Sequence, residues 1–201
     1  AIVPLSGGSN INLMRAESPG PSVGKLVPKV KHTARILYII YLGLSLIEFI
    51  VLIAAKMPVF DAMNTTFGTA GTGGFGIKNS SLGGYSVTIQ WIVTIFMMLF
   101  GVNFNAYYIM IFGSIKKALS MEEVRAYFGI ILTAIVIITI NIYSMCSGVW
   151  DAVTKSAFQV GSIITTTGFA TTDFNIWPQT SKTILVLLMF VGACAGSTGG
   201  C

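Results

Sequence analysis

Two short loops of threonine, glycine and phenylalanine constrain this chain more than any other feature. Thr72-Gly73-Gly74-Phe75 and Thr166-Thr167-Gly168-Phe169 lie 94 residues apart (Phe75 to Phe169). Each sits between a short, partly polar stretch and a long apolar run. The surrounding chain is 54% hydrophobic and only 9% charged, with a mean hydropathy of +0.80. Soluble domains carry about 25% charged residues, so this composition is that of an integral membrane protein. Irregular backbone is tolerated at membrane depth only where it is buried in protein or lines a water-filled path. Two such loops in equivalent places read as one structural unit written twice.

Composition narrows the chemistry. The net charge of +5 comes from basic residues scattered at the ends of apolar runs. That placement fits membrane topology rather than a footprint for DNA or RNA, so no nucleic-acid partner is expected. Cys146, Cys194 and Cys201 form no CxxC or metal spacing, and such cysteines behave as small hydrophobes. His32 is the only histidine, which argues against histidine-based metal or acid–base chemistry. A serine-protease reading of Gly196-Ser197 lacks a base near the serine, so no enzyme is expected. Ala1–Asn10 has neither the charged start nor the apolar centre of a signal peptide, and the first residue is not Met. The chain therefore reads as a piece of a longer protein.

Along the chain, residues 1–35 are polar and rich in Gly and Pro, and Pro4, Pro19, Pro21 and Pro28 forbid one long helix. Ile36–Ala55 is apolar for about 30 Å of helix, enough to cross a bilayer. Met57–Phe67 is shorter, with Pro58 suited to a first helical turn, and runs into Gly68–Gly76. Val87–Phe112 reads as one long span that should tilt or emerge from the bilayer. Residues 113–126 form a charged linker, and Tyr127–Cys146 is the next span. Trp150–Ser162 is too short and polar to cross and leads into the second glycine loop. Thr183–Val191 begins a further apolar helix. It meets Gly192-Ala193-Cys194-Ala195-Gly196-Ser197-Thr198-Gly199-Gly200 after roughly 14 Å, about half the hydrocarbon thickness.

Arg15, Lys25, Lys29, Lys31 and Arg35 lie in the N-terminal stretch, and Lys116, Lys117 and Arg125 in the linker. The positive-inside rule puts residues 1–35 and 113–126 in the cytoplasm. Residues 57–76 and 150–170 must then enter and return on the outer side as re-entrant loops. The predicted order is helix, pore helix, glycine loop, helix, twice over.

A dehydrated cation in such a path needs oxygen ligands, which potassium-channel filters supply from backbone carbonyls. Turning successive carbonyls one way requires backbone angles that glycine permits most easily. Threonines add hydroxyl oxygens, and Phe75 and Phe169 would pack outward to brace the loops. A secondary transporter with re-entrant hairpins and a midplane substrate site is the alternative. Those folds often repeat in inverted orientation, whereas these two units run the same way.

Several stretches together resemble the Trk/Ktr/HKT superfamily of potassium transporters, and most closely its bacterial TrkH-type branch. They are Met14–Glu17 with Pro19–Pro21; Gly71–Phe75; Gly101–Phe104; Phe158–Phe169; Asp173-Phe174 with Trp177-Pro178; and Cys194–Gly200. The resemblance covers essentially the whole chain. It implies four M1–P–M2 repeats around one pore, as in a tetrameric potassium channel, giving an all-α membrane fold that is incomplete here. By that resemblance residues 36–112 are the second repeat. Residues 127–201 are the third, cut within its M2, and residues 1–35 hold the tail of the first and a linker.

The same resemblance implies that Thr72, Gly73, Gly74, Phe75, Thr166, Thr167, Gly168 and Phe169 belong to a K⁺ selectivity filter. It makes Gly192–Gly200 an intramembrane gate loop. It further implies potassium uptake, with sodium left open, across a bacterial inner membrane. A homodimer of the full-length subunit resting on a cytosolic nucleotide-binding ring is implied too, with no cofactor beyond the transported ion. Cys201 departs from the family pattern, which usually has a third glycine followed by a basic residue where this chain ends.

Individual polar residues carry two readings each. Glu48, about 18 Å along its helix, either faces the bundle interior to brace the filter or attract cations, or else hydrogen-bonds a pore helix without touching ions or sits protonated. Asn103 and Asn105 suit interhelical hydrogen bonding. Asp61 and Asp151 suit helix N-termini and could also draw cations. Met97 and Met98 are expected to pack.

Overall fold

The computed structural model describes residues 30–200, with side chains from Ala34 onward. The match at Met14–Pro21, the basic residues before Arg35, the His32 side chain and Cys201 lie outside the described residues. Among the described residues every regular element is helical. The helices are α1 (Val30–Ala54), α2 (Val59–Ala70), α3 (Val87–Phe100), α4 (Phe104–Phe112), α5 (Ile115–Leu119), α6 (Glu122–Ile142), α7 (Val149–Ile164) and α8 (Gln179–Val191). Short 3-10 turns follow at Tyr143–Met145 and Phe174–Ile176.

The duplication read from the sequence is built into the packing. In the first unit α1, α2 and α3 contact one another pairwise; in the second, α6, α7 and α8 do the same. The units join where α3 packs on α7. There Trp91 stacks on Trp150 with ring centroids 5.6 Å apart, and its indole N–H donates to Thr154 Oγ1 at 3.1 Å. Helix α7 lies deepest, buried almost continuously from Ser156 to Ile164. Small and polar residues on α7, among them Ser156, Gly161 and Ser162, let neighbouring helices approach closely, as membrane helix packing requires.

Among the described residues two helices, Ala34–Ala54 and Glu122–Met145, are long and apolar enough to cross a membrane. Large apolar side chains stand exposed on their outer faces, including Ile39, Leu46 and Ile50 on α1 and Leu132, Val136 and Ile140 on α6. In a bilayer such faces meet lipid tails at no cost.

One span differs from expectation. Residues 87–112 are not one tilted helix but two, α3 and α4, bent by 87° at a short break. Gly101 stands at the break because no side chain fits: a Cβ there would lie 2.3 Å from the Tyr127 hydroxyl and 2.8 Å from Thr165 Cγ2. Asn103 then caps α4, its Oδ1 accepting from the Asn105 N–H at 2.9 Å. Hydropathy averaged over a span does not register such a bend, because the apolar Val102 and Phe104 offset Asn103 and Asn105. Helix α6 begins at Glu122, inside the stretch read as the charged linker.

Candidate functional site: two glycine loops above a broken helix

Each glycine loop follows the C-terminus of a short helix, and the two follow the same hydrogen-bond plan. In the first, Gly71 N–H donates to Phe67 O and Thr72 N–H to Thr69 O. The N–H groups of Gly73 and Gly74 both reach back to Gly68 O, at 2.9 and 3.3 Å. In the second, Thr165 N–H donates to Gly161 O and Thr166 N–H to Ile163 O. Those of Thr167 and Gly168 reach Ser162 O, also at 2.9 and 3.3 Å. Every donor and acceptor is displaced by the 94-residue repeat.

This plan sets where the carbonyls point. In a trans peptide the C=O runs opposite to the N–H of the same unit. The peptide units entering Gly73 and Gly74 aim their N–H groups at the end of α2, so the oxygens of Thr72 and Gly73 face away from it. By the same argument the oxygens of Thr166 and Thr167 face away from α7. Holding this shape takes left-handed backbone at equivalent positions: Thr72 (φ 49°) and Gly74 (φ 64°), Thr166 (φ 57°) and Gly168 (φ 87°). At the threonines a non-glycine residue carries that strain.

The loops abut. A Cβ on Gly74 would stand only 2.0 Å from Thr167 O, so one loop's backbone lies directly against a carbonyl of the other. Just beyond, Leu82 N–H donates to Ala170 O at 3.0 Å, and Ala170 N–H donates to Ser81 Oγ at 3.2 Å. Backbone oxygens turned one way from adjacent loops can replace part of a cation's hydration shell.

The expected bracing by phenylalanine holds for one loop only. Phe169 is buried against Gly68 of α2, where a Cβ would sit 2.8 Å from its Cζ, and Ser162 Oγ donates to Phe169 O at 2.6 Å. Phe75 is 83% exposed, its ring lying over Gly73. Phe169 has the preceding unit to pack on, and no described residue stands in that position for Phe75.

The segment Gly192–Gly200 leaves α8 through Gly192 (φ 69°), turns again at Gly196 (φ 73°), and lies across the α3–α4 break. The break exposes carbonyls that the segment uses. Cys194 N–H donates to Gly101 O at 3.0 Å, and Thr198 donates through both N–H and Oγ1 to Phe100 O at 3.2 Å. Phe104 N–H donates in return to Gly196 O at 3.1 Å. The segment also reaches both glycine loops. The Thr72 hydroxyl lies 2.8 Å from Gly71 O and 3.1 Å from Thr198 O, and Gly200 N–H donates to Thr166 Oγ1 at 2.8 Å. A Cβ on Gly199 would stand 3.1 Å from Thr165 O. The two filter-like loops and the glycine-rich segment singled out in the sequence therefore gather at one place.

The other polar residues divide. Asn103 donates through Nδ2 to Glu123 Oε2 at 3.0 Å, the interhelical bond expected of it, while Asn105 is buried beside it. Glu48 is fully buried on α1 against Thr69 of α2. Neither of its oxygens reaches hydrogen-bonding geometry, and the Thr69 hydroxyl donates instead to Thr65 O at 2.8 Å. The two aspartates stand in the first turns of α2 and α7, where the helix dipole favours them, although neither helix has a side-chain cap bond. Asp61 accepts from the Tyr85 hydroxyl at 2.6 Å; burial and this carboxylate push the Tyr85 phenol up to about 12, so it remains a donor at neutral pH. Asp151 accepts from Lys155 Nζ at 2.7 Å and from Ser147 N–H at 3.1 Å.

Sequence reasoning passed over Glu123, which accepts through Oε1 from Ala195 N–H. The pair Glu122-Glu123 opens an apolar helix, where acidic residues are expected for the helix dipole alone.

A family of cation transport proteins, TrkH, matches this chain over residues 1–201. The chain belongs to the TrkH family. It is similar to the Trk system potassium uptake protein TrkH of Salmonella typhimurium, at 36% identity over all of this chain and 42% of that protein. The TrkG potassium uptake protein of Escherichia coli K12 is 32% identical over the same shares. The crystal structure of the potassium transporter TrkH from Vibrio parahaemolyticus superposes with a TM-score of 0.80 at 32% identity, covering 89% of this chain and 39% of that one. The all-α, tandem-repeat membrane fold read from the sequence is thus the fold of this TrkH-family chain. The chain spans about two-fifths of the length of the curated relatives it matches. Those relatives are named as uptake proteins, not as enzymes.

Proposed function

We propose that this chain forms part of a gated, channel-like path for potassium uptake across the bacterial inner membrane. The loops at 72–75 and 166–169 contribute two segments of a selectivity filter. Their carbonyls take over part of the ion's hydration shell, and the membrane potential draws the cation inward. The segment Gly192–Gly200 lies across the path beneath them and acts as the gate. Residues 36–112 and 127–201 act as the second and third of four repeats, and the N-terminal stretch 1–35 and the linker 113–126 face the cytoplasm. The full-length subunit works as a homodimer on a cytosolic nucleotide-binding ring.

The observation that carries this reading is the repeated loop. Two identical hydrogen-bond plans turn four carbonyls away from their helices, and both loops rest on the same broken segment. The units run in the same direction, which favours a channel-like path over a transporter built from inverted repeats.

The test is potassium and sodium flux through the full-length parent carrying Gly168→Ser. At φ 87° a side chain costs about 1–2 kcal/mol of backbone strain, enough to disturb the carbonyl set without filling a packed space. Weakened discrimination between the two ions is expected. Unchanged selectivity removes this loop from the filter.

A further inference from the structure

The gate segment is held in two chemically different ways. Towards the filter and the α3–α4 break its bonds run mostly to backbone groups. Between its contacts to the break at Cys194 and Gly196 it is also held by a carboxylate: Ala195 N–H donates to Glu123 Oε1. The second oxygen of the same carboxylate accepts from Asn103 Nδ2 at 3.0 Å, and Asn103 Oδ1 in turn accepts from Asn105 N–H at 2.9 Å. One side chain in the first turn of α6 thereby ties together the gate segment and the cap of α4. Bonds to a carboxylate are roughly twice as strong as neutral ones, and a carboxylate can receive two donors at once. Neighbouring Glu122 is exposed and makes neither contact.

We propose that Glu123 is the clamp that holds the gate segment closed, a positioning residue that acts with Asn103 and touches no ion. This rests on the reading of Gly192–Gly200 as a gate. Glu123 stands two residues after Met121, at the junction of the charged linker and α6. A displacement of the linker therefore reaches the gate through this carboxylate without passing through the filter loops. Release of the clamp frees Ala195 N–H and leaves the segment held only by its bonds to the α3–α4 break and to Thr72 and Thr166, so it leaves its place more often. The clamp sets how often the path is open and leaves ion preference to the filter.

The test reads unstimulated potassium flux into vesicles containing the intact subunit. E123Q keeps one acceptor and turns an N–H₂ towards that of Asn103; N103D sets a second carboxylate against Glu123. Each is expected to raise unstimulated flux by roughly tenfold, the effect of losing one charge-assisted bond, with the potassium-to-sodium ratio unchanged. E122Q is expected to behave as the parent.

The double variant E123Q/N103D exchanges donor and acceptor and satisfies every group again. The amide introduced at position 123 accepts from Ala195 N–H and donates to the carboxylate introduced at position 103, which still accepts from Asn105 N–H. Flux through the double variant is expected to return to the parental level. Parental flux in E123Q, or a double variant as leaky as the single ones, overturns the clamp. If the single variants fail to accumulate, the double variant decides. Accumulation with parental flux supports the clamp, and failure like that of the single variants overturns it.

Deleting Gly196–Gly199 tests the gate reading separately. Unchanged flux defeats that reading and the clamp with it. Raised flux on deletion, with parental flux in E123Q, defeats the clamp alone.

Discussion

Gly74 and Gly168 hold the same left-handed turn, yet a side chain would meet different surroundings at each. At Gly74 a Cβ would strike Thr167 O at 2.0 Å, so any substitution must push the second loop away. At Gly168 no atom lies within 4 Å, and the cost is backbone strain alone. Gly74→Ala is therefore expected to be the more damaging change. It should lower the thermal midpoint of the purified full-length protein and abolish flux, while Gly168→Ala costs about 1–2 kcal/mol and leaves measurable flux. Equal effects would mean that the loops are not in contact in the membrane. The threonines answer a related need: Thr72 and Thr166 accept left-handed strain while their hydroxyls meet the segment Gly192–Gly200. Both loops could be located from their residues. The contact between them could not, since it joins positions about 94 residues apart.

At the scale of elements, the junction of α3 with α7 fixes one repeat on the next. Trp91 supplies both the stacking on Trp150 and the hydrogen bond to Thr154. Trp91→Phe keeps an aromatic ring and removes the donor, so a loss of about 1 kcal/mol is expected. A lowered melting temperature with unchanged ion selectivity would be its signature; altered selectivity would show that the junction also shapes the filter. The α3–α4 break is the other decisive element. Breaking a helix inside a membrane leaves backbone groups without partners, at several kcal/mol each. Here the carbonyls of Phe100 and Gly101 and the N–H of Phe104 find them in the segment Gly192–Gly200, which is itself irregular. Two irregular stretches that would each be intolerable alone satisfy one another.

Over the whole molecule, two three-helix units bring their loops into contact, and the four turned carbonyls come from those two loops. A cation stripped of water needs oxygens around it, so two adjacent loops cannot complete its cage. The 201-residue chain reconstituted alone is therefore expected to give no selective potassium flux. Selective flux from it would refute the four-segment filter. Phe75 is exposed and the space beside Gly168 is open, which leaves room for further loops to pack against both.

Membrane residence, the duplicated unit, the two loops and the interruption after α8 were all determined by the sequence itself. Each depends on composition or on groups close together in the chain: apolar length, glycine where φ is positive, short helices before loops. The tertiary structure decided the 87° bend, the burial of Phe169 against the exposure of Phe75, and the contacts of Glu123. Each of these depends on a partner supplied from far along the chain, and local pattern carries no record of where an unpaired carbonyl or N–H finds its mate.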